Sequence, residues 1–328
     1  MKIAVLFGGD SMERDVSVAS ARQVVAALRS RGHEIVAVDG ERGPLSASDE
    51  AATFARDIAR DPPRAARSFS LPGVVAGLAR ADYDLVFLAV HGGKGEDGTL
   101  QSLLDANGIR FTGSDRLGCS LAWDKSIAKQ LFRLAQIPTP AWRIAPIETK
   151  AVERDLGFPV IVKPSGQGST VGLSLVEEPG ELDAAIAQAS QYDSCVLLES
   201  FIAGRELTVG VLGDRALAVG EIIPRDGGIF DYEAKYQADA AEEIFPADVP
   251  AEIAKQAQTL ALVAHDALRL RAYSRADFRL DVNGGLWCLE VNTLPGLSRG
   301  SLLPQSAAAA GIEFDELCER ICRAALSY

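Results

Sequence analysis

Three oxygen-bearing side chains near the end of the chain carry the clearest chemistry. In SRADFRLDVNGGLWCLEVN, Asp277 precedes an Asn283-Gly284 pair, and Glu290 and Asn292 follow it. Asn-Gly between apolar runs is the strongest short signal for a β-hairpin. Centring the turn on that pair sets Ala276 opposite Val291, Phe278 opposite Leu289 and Leu280 opposite Trp287, which makes one apolar face. The other face pairs Asp277 with Glu290 and Arg275 with Asn292. Carboxylates placed directly opposite each other repel. Two outcomes are open. Either the face is solvated and Arg275 neutralises the acids, or a divalent cation sits between them. Oxygen ligands of this type suit Mg²⁺, which takes one or two carboxylates and completes its shell with substrate phosphates.

A second stretch, KPSGQGSTVGLS from Lys163 to Ser174, combines a lysine, glycines and hydroxyls. A P-loop places its lysine after the glycines, so this is not one. With an apolar strand ahead and another strand behind, it reads either as a flap folding over a triphosphate or as an ordinary mobile hairpin. Lys125, in WDKSIAK, is a further cation after an apolar stretch. Glu199 to Glu206, ESFIAGRE, spaces two acids around an apolar linker. That pattern can hold adenine through backbone bonds and ribose through a carboxylate, or be a surface turn. Glu13 and His91 follow the first and third expected strands, at the edge where open α/β sheets place ligands. Each is equally readable as a solvated acid and a structural histidine.

These residues need a scaffold. Lys2–Phe7 reads as a buried strand, Val16 to Arg31 as an amphipathic helix and Glu34–Val38 as a strand, a β-α-β opening that signals a parallel sheet. Residues 40–66 read as an irregular or partly helical insertion. Strands are expected at Asp84–Val90 and Ile109–Thr112, with a helix at Thr99–Asn107 between them. After a boundary at Gly113-Ser114 come a helix from Ser120 to Gln136, strands at Val160–Lys163 and Val171–Leu175, a helix at Glu178–Ser190 and a strand at Cys195–Glu199. The remainder alternates strands (Leu207–Leu212, Ala218–Ile223, Phe278–Val282, Leu286–Val291) with helices at Ala251–Leu268 and Glu313–Ala325. The fold class is α/β plus α+β, and 328 residues allow two or three domains.

A hydrophobic fraction of 48% supports packed cores, and a net charge of −12 disfavours nucleic acid or an anionic membrane as partner. The 5 cysteines show no C-x-x-C spacing and read as reduced thiols rather than a metal site. No signal peptide and no apolar run long enough to span a membrane is expected, which points to a cytoplasmic setting.

Taken in order, FGGDSMERDVSVAS, HGGKGEDGTLQ, FTGS, DK, FPVIVKPSGQGSTVGLS, AGRELTVGVLG, FDYEAKY, SRADFRLD and LEVNTLPGLSRGSLLP resemble the D-alanine–D-alanine ligase family of the ATP-grasp superfamily. The resemblance covers almost the whole chain. It implies an N-terminal Rossmann-like domain (1–113), a central ATP-grasp lobe with the glycine-rich loop (114–199) and a C-terminal lobe (200–328), the two lobes clasping ATP. By motif match, Lys125, Lys163, Ser169, Glu199, Ser200, Ile202, Glu206 and Lys235 would bind ATP. Asp277, Glu290 and Asn292 would bind two Mg²⁺, or Mn²⁺ in their place. Glu13 would hold the first D-alanine's ammonium, with His91 and Lys235 assisting. Ser169 and Tyr236 would complete a hydrogen-bond set with Glu13. Arg275 and the Gly296 N–H would stabilise the tetrahedral intermediate. Ser301 and Leu302 would receive the second substrate's carboxylate. A homodimer is the family's assembly.

Tyr232 and Tyr236, four apart, would otherwise suggest a helical packing pair. The family makes that segment a mobile closing loop, and its tyrosine is the dipeptide-forming type. No histidine lies between His91 and His265, which argues against an ester-forming variant. Gln167, Thr170 and Arg299 depart from the family pattern, and Arg299 puts the shape of the second-substrate pocket in question. The alternatives are a ligase joining another amino-acid pair, such as D-Ala with D-Ser, and a nucleotide-binding regulator with a decayed site. No metal ligand is lost, and Arg275 is kept, which disfavours the regulator.

Overall fold

The computed structural model describes residues 1–9, 11–55, 70–225 and 241–327. The opening apolar run forms β1 (Lys2–Phe7), buried almost throughout because it lies between two parallel neighbours, β2 (Glu34–Asp39) and β4 (Leu85–Leu88). The two-residue β3 (Gly43–Pro44) adds an antiparallel edge. Helix α1 (Arg14–Ser30) crosses from β1 to β2 and buries Val18, Val24, Val25 and Leu28. The insertion includes α2 (Ala47–Phe54), capped by the Ser46 hydroxyl. Helix α3 (Leu71–Arg80) was not expected; Ser70 caps it and proline stands in its first turn, both ordinary start signals. Helix α4 (Thr99–Ala106) matches expectation. The strand expected at Ile109–Thr112 is only a parallel bridge between Val86 and Phe111. Gly113, at φ +93°, turns the chain away after two backbone bonds to Val86.

The single helix expected over Ser120–Gln136 is two, α5 (Arg116–Trp123) and α6 (Lys125–Leu134). Asp124 leaves helical geometry, and its carboxylate accepts the N–H groups of Ser126 and Ile127. An aspartate is a better cap than helix interior, and here the break puts Lys125 first in the new helix. The central sheet runs β5 (Trp142–Ile144), β8 (Val196–Ser200), β6 (Val160–Pro164), β7 (Ser174–Val176), antiparallel throughout. Helices α7 (Thr149–Asp155) and α8 (Leu182–Ala189) supply Val152, Leu182, Ala185 and Ala189 to its core. β7 begins three residues later than expected, because Ser169, Thr170 and Gly172 have positive φ and keep the loop from extending.

The C-terminal sheet is antiparallel, in the order β11 (Ala241–Ile244), β10 (Arg215–Pro224), β9 (Gly204–Leu212), β12 (Tyr273–Asp281), β13 (Leu286–Asn292). Helix α9 (Ala251–Ala267) covers one face. Helices α5 and α6 pack here too, through Ala122, Ala128 and Phe132, rather than on the central sheet. Helices α10 (Leu302–Ala309) and α11 (Phe314–Ala325) return to the N-terminal domain, where Leu303, Leu317, Ile321 and Cys322 join the core built around β1.

The β12–β13 hairpin keeps the expected pairs Arg275–Asn292, Ala276–Val291 and Asp277–Glu290. Nearer the turn the register shifts by one, giving Phe278–Cys288 and Leu280–Leu286 instead of the expected Leu289 and Trp287 partners. The turn is longer than a two-residue one: Asp281 pairs with Gly285, and Gly284 takes φ +85°. A bulge at Leu289 restores the register before the acids are reached.

Candidate active site in the cleft between the lobes

A cavity of about 390 Å³ is lined by Glu13, Ser169, Arg275, Asn292, Gly296 and Ser301. A smaller one of about 100 Å³ shares Lys125, Ser169, Arg275 and Glu290 with it and adds Lys163, Glu206, Asp277 and Leu289. Residues more than 250 positions apart in sequence thus converge on one cleft.

Its floor is the hairpin. Asp277 is buried, and Arg275 grips its carboxylate with Nε at 2.9 Å and a terminal nitrogen at 2.8 Å. Thr208, opposite Asp277 on β9, donates its hydroxyl to the same carboxylate at 2.7 Å. Lys125 Nζ lies 3.1 Å from Glu290 Oε2 and donates to the Gln167 carbonyl at 2.7 Å, so it joins the acid face to the glycine loop. Asn292 Oδ1 is buried and has no hydrogen-bond partner among the described residues. A buried acceptor without a partner costs stability unless something else occupies it. Two facing carboxylates and that amide oxygen fit a hard divalent cation. Among the described residues no group of three or more His, Cys, Asp or Glu side chains could hold a metal. A cation here would therefore complete its shell from a bound substrate and water.

The residues expected to meet a nucleotide include a buried ion cluster. Glu199 lies between Lys163, at 3.2 Å, and Lys129, at 2.6 Å, and Lys129 also donates to the Thr139 hydroxyl. Burial would push the Glu199 carboxyl up, but the charges of Lys129 and Lys163 outweigh it and hold it below the usual range. Burial lowers the Lys129 ammonium. Glu206 pairs with Arg279, whose guanidinium also bonds the carbonyls of Ile202 and Gly204. Arg279 thereby fixes the linker that Glu199 and Glu206 bracket. Ser200 is not brought to the cleft by its hydroxyl, which bonds the Leu156 carbonyl.

On the N-terminal side, Glu13 precedes α1 and accepts the Ser169 hydroxyl across the cleft. Ser169 has φ +49°, a conformation that a non-glycine residue rarely adopts and that is common at functional sites. Gly92, at φ +69°, closely approaches Glu13: a side chain there would be strained, and its Cβ would stand 2.3 Å from Glu13 Oε2 and displace that carboxylate. Both ring nitrogens of His91 are used by the protein, Nδ1 with the Leu294 carbonyl at 2.8 Å and Nε2 with the Ser20 hydroxyl at 2.9 Å. Ser20 also accepts the Leu297 N–H. This makes His91 a neutral strut for the loop carrying Gly296, and burial holds its pKa down. Glu96 reinforces the strut, since its two oxygens accept the N–H groups of Gly92 and Leu294. Burial and the nearby Glu13 charge push its carboxyl up to about 8.

Ser301 stands at the N-terminal boundary of α10, and its hydroxyl is engaged with Ser298 rather than with the helix. Ser301 and Leu302, where this helix starts, both line the cavity, and a helix start favours an anion. A Cβ on Gly296 would press on Ser301 Oγ at 2.8 Å, so that glycine allows the two segments to approach. Arg299 is exposed and stacks over Phe314 at 4.9 Å, away from the cavity, leaving the pocket to Ser298, Gly300 and Ser301. Tyr232, Lys235 and Tyr236 lie outside the described residues. Sequence reasoning missed Lys129, Glu96 and Arg279. The last was legible, because Arg275, Asp277 and Arg279 alternate onto one face of a strand.

Comparison with known proteins gives a consistent result. The family model described as D-ala D-ala ligase N-terminus matches residues 2–114, and that described as D-ala D-ala ligase C-terminus matches residues 134–323. The D-alanine–D-alanine ligase of Geotalea uraniireducens is 41% identical over 99% of this chain and 95% of its own length. That of Acidiphilium cryptum is 42% identical over 97% and 96%. Among solved structures, the Bacillus anthracis D-alanine–D-alanine ligase complexed with ATP aligns with a TM-score of 0.79 at 29% identity, covering 100% of this chain and 97% of its own. The VanG D-Ala:D-Ser ligase of Enterococcus faecalis aligns at 0.81 and 29% identity, covering 99% of both chains.

Proposed function

The chain belongs to the D-alanine–D-alanine ligase family, and from that premise we propose how its cleft performs the reaction. The enzyme uses ATP to join two D-alanines into D-alanyl-D-alanine, a precursor of peptidoglycan.

Lys125 and Lys163 meet the triphosphate, and the glycine loop folds over it. Glu199, Ser200 and Ile202 hold the adenine end, and Glu206 the ribose. Asp277, Glu290 and Asn292 hold two magnesium ions, or manganese. Bound there, the metals neutralise phosphate charge and orient the γ-phosphate, which is most of what phosphoryl transfer requires. Glu13 fixes the first D-alanine's ammonium and presents its carboxylate to the γ-phosphate. The product is an acylphosphate. Ser301 and the amides that open α10 bind the second D-alanine's carboxylate. Its amine attacks the activated carbonyl, and Arg275 with the Gly296 N–H stabilises the oxyanion. The division into 1–113, 114–199 and 200–328, a homodimer and a cytoplasmic setting belong to the same proposal; five unpaired cysteines fit a reducing compartment.

The observation that carries this reading is the pairing of Asp277 with Glu290 beside the unpartnered Asn292 oxygen, in the cleft that Lys163 also lines. The test is ADP formation from ATP with D-alanine, L-alanine, D-serine or D-lactate, with and without Mg²⁺. Turnover is expected with D-alanine and Mg²⁺ alone. Turnover with D-serine as sole acceptor beside D-alanine would move the second-site assignment to another amino-acid pair.

A further inference from the structure

Four acids line the larger cavity among the described residues: Glu13, Glu96, Glu243 and Glu290. Three of them have work already. Glu290 faces Asp277. Glu96 spends both oxygens on backbone N–H groups. Glu13 bonds Ser169 and, in the reading above, the first ammonium. Glu243 stands on the edge strand β11, opposite Ile222. Gln305, on α10, donates its amide to the Glu243 carboxylate and also to the Gly300 carbonyl at 2.9 Å. The acid is thus tied to the loop that carries Ser298, Gly300 and Ser301. Arg275 is near enough for its charge to act on Glu243.

An amino acid arrives as a zwitterion. The Ser301–Leu302 helix start satisfies its carboxylate, but the ammonium also needs an anion before it can leave water. We propose that Glu243 is the ammonium subsite for the second amino acid and takes the proton that turns this ammonium into the attacking amine. This rests on the ligase reading and deepens it. One N–H bond breaks and its proton joins a Glu243 oxygen, while the electron pair stays on nitrogen. That pair forms the bond to the acylphosphate carbon. Phosphate leaves with the C–O pair, a second proton passes from nitrogen to solvent, and Glu243 returns its own proton to solvent. Burial holds the Glu243 carboxyl above the ordinary range despite Arg275, which suits a proton acceptor.

The test is Glu243→Gln, an isosteric change on a partly exposed strand. Initial rates over a range of D-alanine separate the two D-alanine KM values. The second should rise at least about tenfold, while the first and the KM for ATP stay within about twofold. In competition, preference for D-alanine over D-lactate at the second site, read from inhibition by D-lactate, should fall at least about tenfold, because D-lactate has no ammonium to bind. Glu243→Asp should retain part of that preference. Unchanged second-site KM and preference would overturn the proposal, as would an equal loss with both molecules, the mark of a structural role. A wild-type protein inactive with D-alanine would instead overturn the ligase reading, and this one with it.

Discussion

At the residue scale, the site is assembled from charges whose partners are far away in sequence. Lys129 finds Glu199, Arg279 finds the Ile202 carbonyl, and Glu96 finds the Leu294 N–H. Asp277, Glu290, Lys163 and Glu13 stood out in the sequence because motif, turn and strand end framed them. Lys129 and Glu96 lie inside helix or loop patterns where a charged residue looks solvated, and only the fold reveals them as buried. Glu96 leads to a prediction in pH. Its carboxyl is raised from 4.5 to about 8, chiefly by burial. Between those values the folded state keeps a proton that the unfolded chain has lost, so stability falls as pH rises through that window and levels off above it. Glu96→Gln cannot titrate. Melting temperatures measured from about pH 5 to about pH 9 should show the decline in the wild type and a flatter profile in the variant. Equal slopes would mean that Glu96 ionises normally in the folded protein.

At the scale of elements, the hairpin shows why the decisive pairs were legible even though the turn was misread. A turn one residue longer than expected shifts the register, and the Leu289 bulge shifts it back. Arg275, Asp277, Glu290 and Asn292 therefore meet as alternation alone would place them, while the pairs between bulge and turn are displaced. Bulges have no firm sequence signature, so no inspection of residues 278–289 could have placed this one. The bulge also sets Leu289 and Glu290 together on the cleft side. The two features separate stability from function. Gly284→Ala, at φ +85°, should lower stability by about 1 kcal/mol and leave turnover intact, since the bulge stands between it and the acids. Deleting Leu289 removes the bulge but keeps Cys288 opposite Phe278 and Glu290 opposite Asp277, so turnover should survive, with the KM for ATP raised because Leu289 lines the smaller cavity. Denaturant unfolding and ADP release distinguish the two, and a folded but inactive deletion variant would show that the acids need the bulge itself.

At the scale of the molecule, the parallel opening was visible in periodicity and glycine placement. The return of α11 to the N-terminal core was not, because an amphipathic helix announces that a face is covered and not by what. That return, with the His91 and Glu96 struts, fixes the N-terminal domain against the loop bearing Gly296 and Ser301. Glu13 and Ser169 then bridge the N-terminal domain to the central lobe. The cleft lies where all three sheets meet, and the proposed function depends on a cation held by the hairpin acids. The most direct test is D-alanine-dependent ADP release by Asp277→Asn, beside the wild type and across a Mg²⁺ titration. Asp277→Asn should turn over at least about 10²-fold more slowly, with its melting temperature nearly preserved. Near wild-type turnover at the same Mg²⁺ concentration would contradict the account.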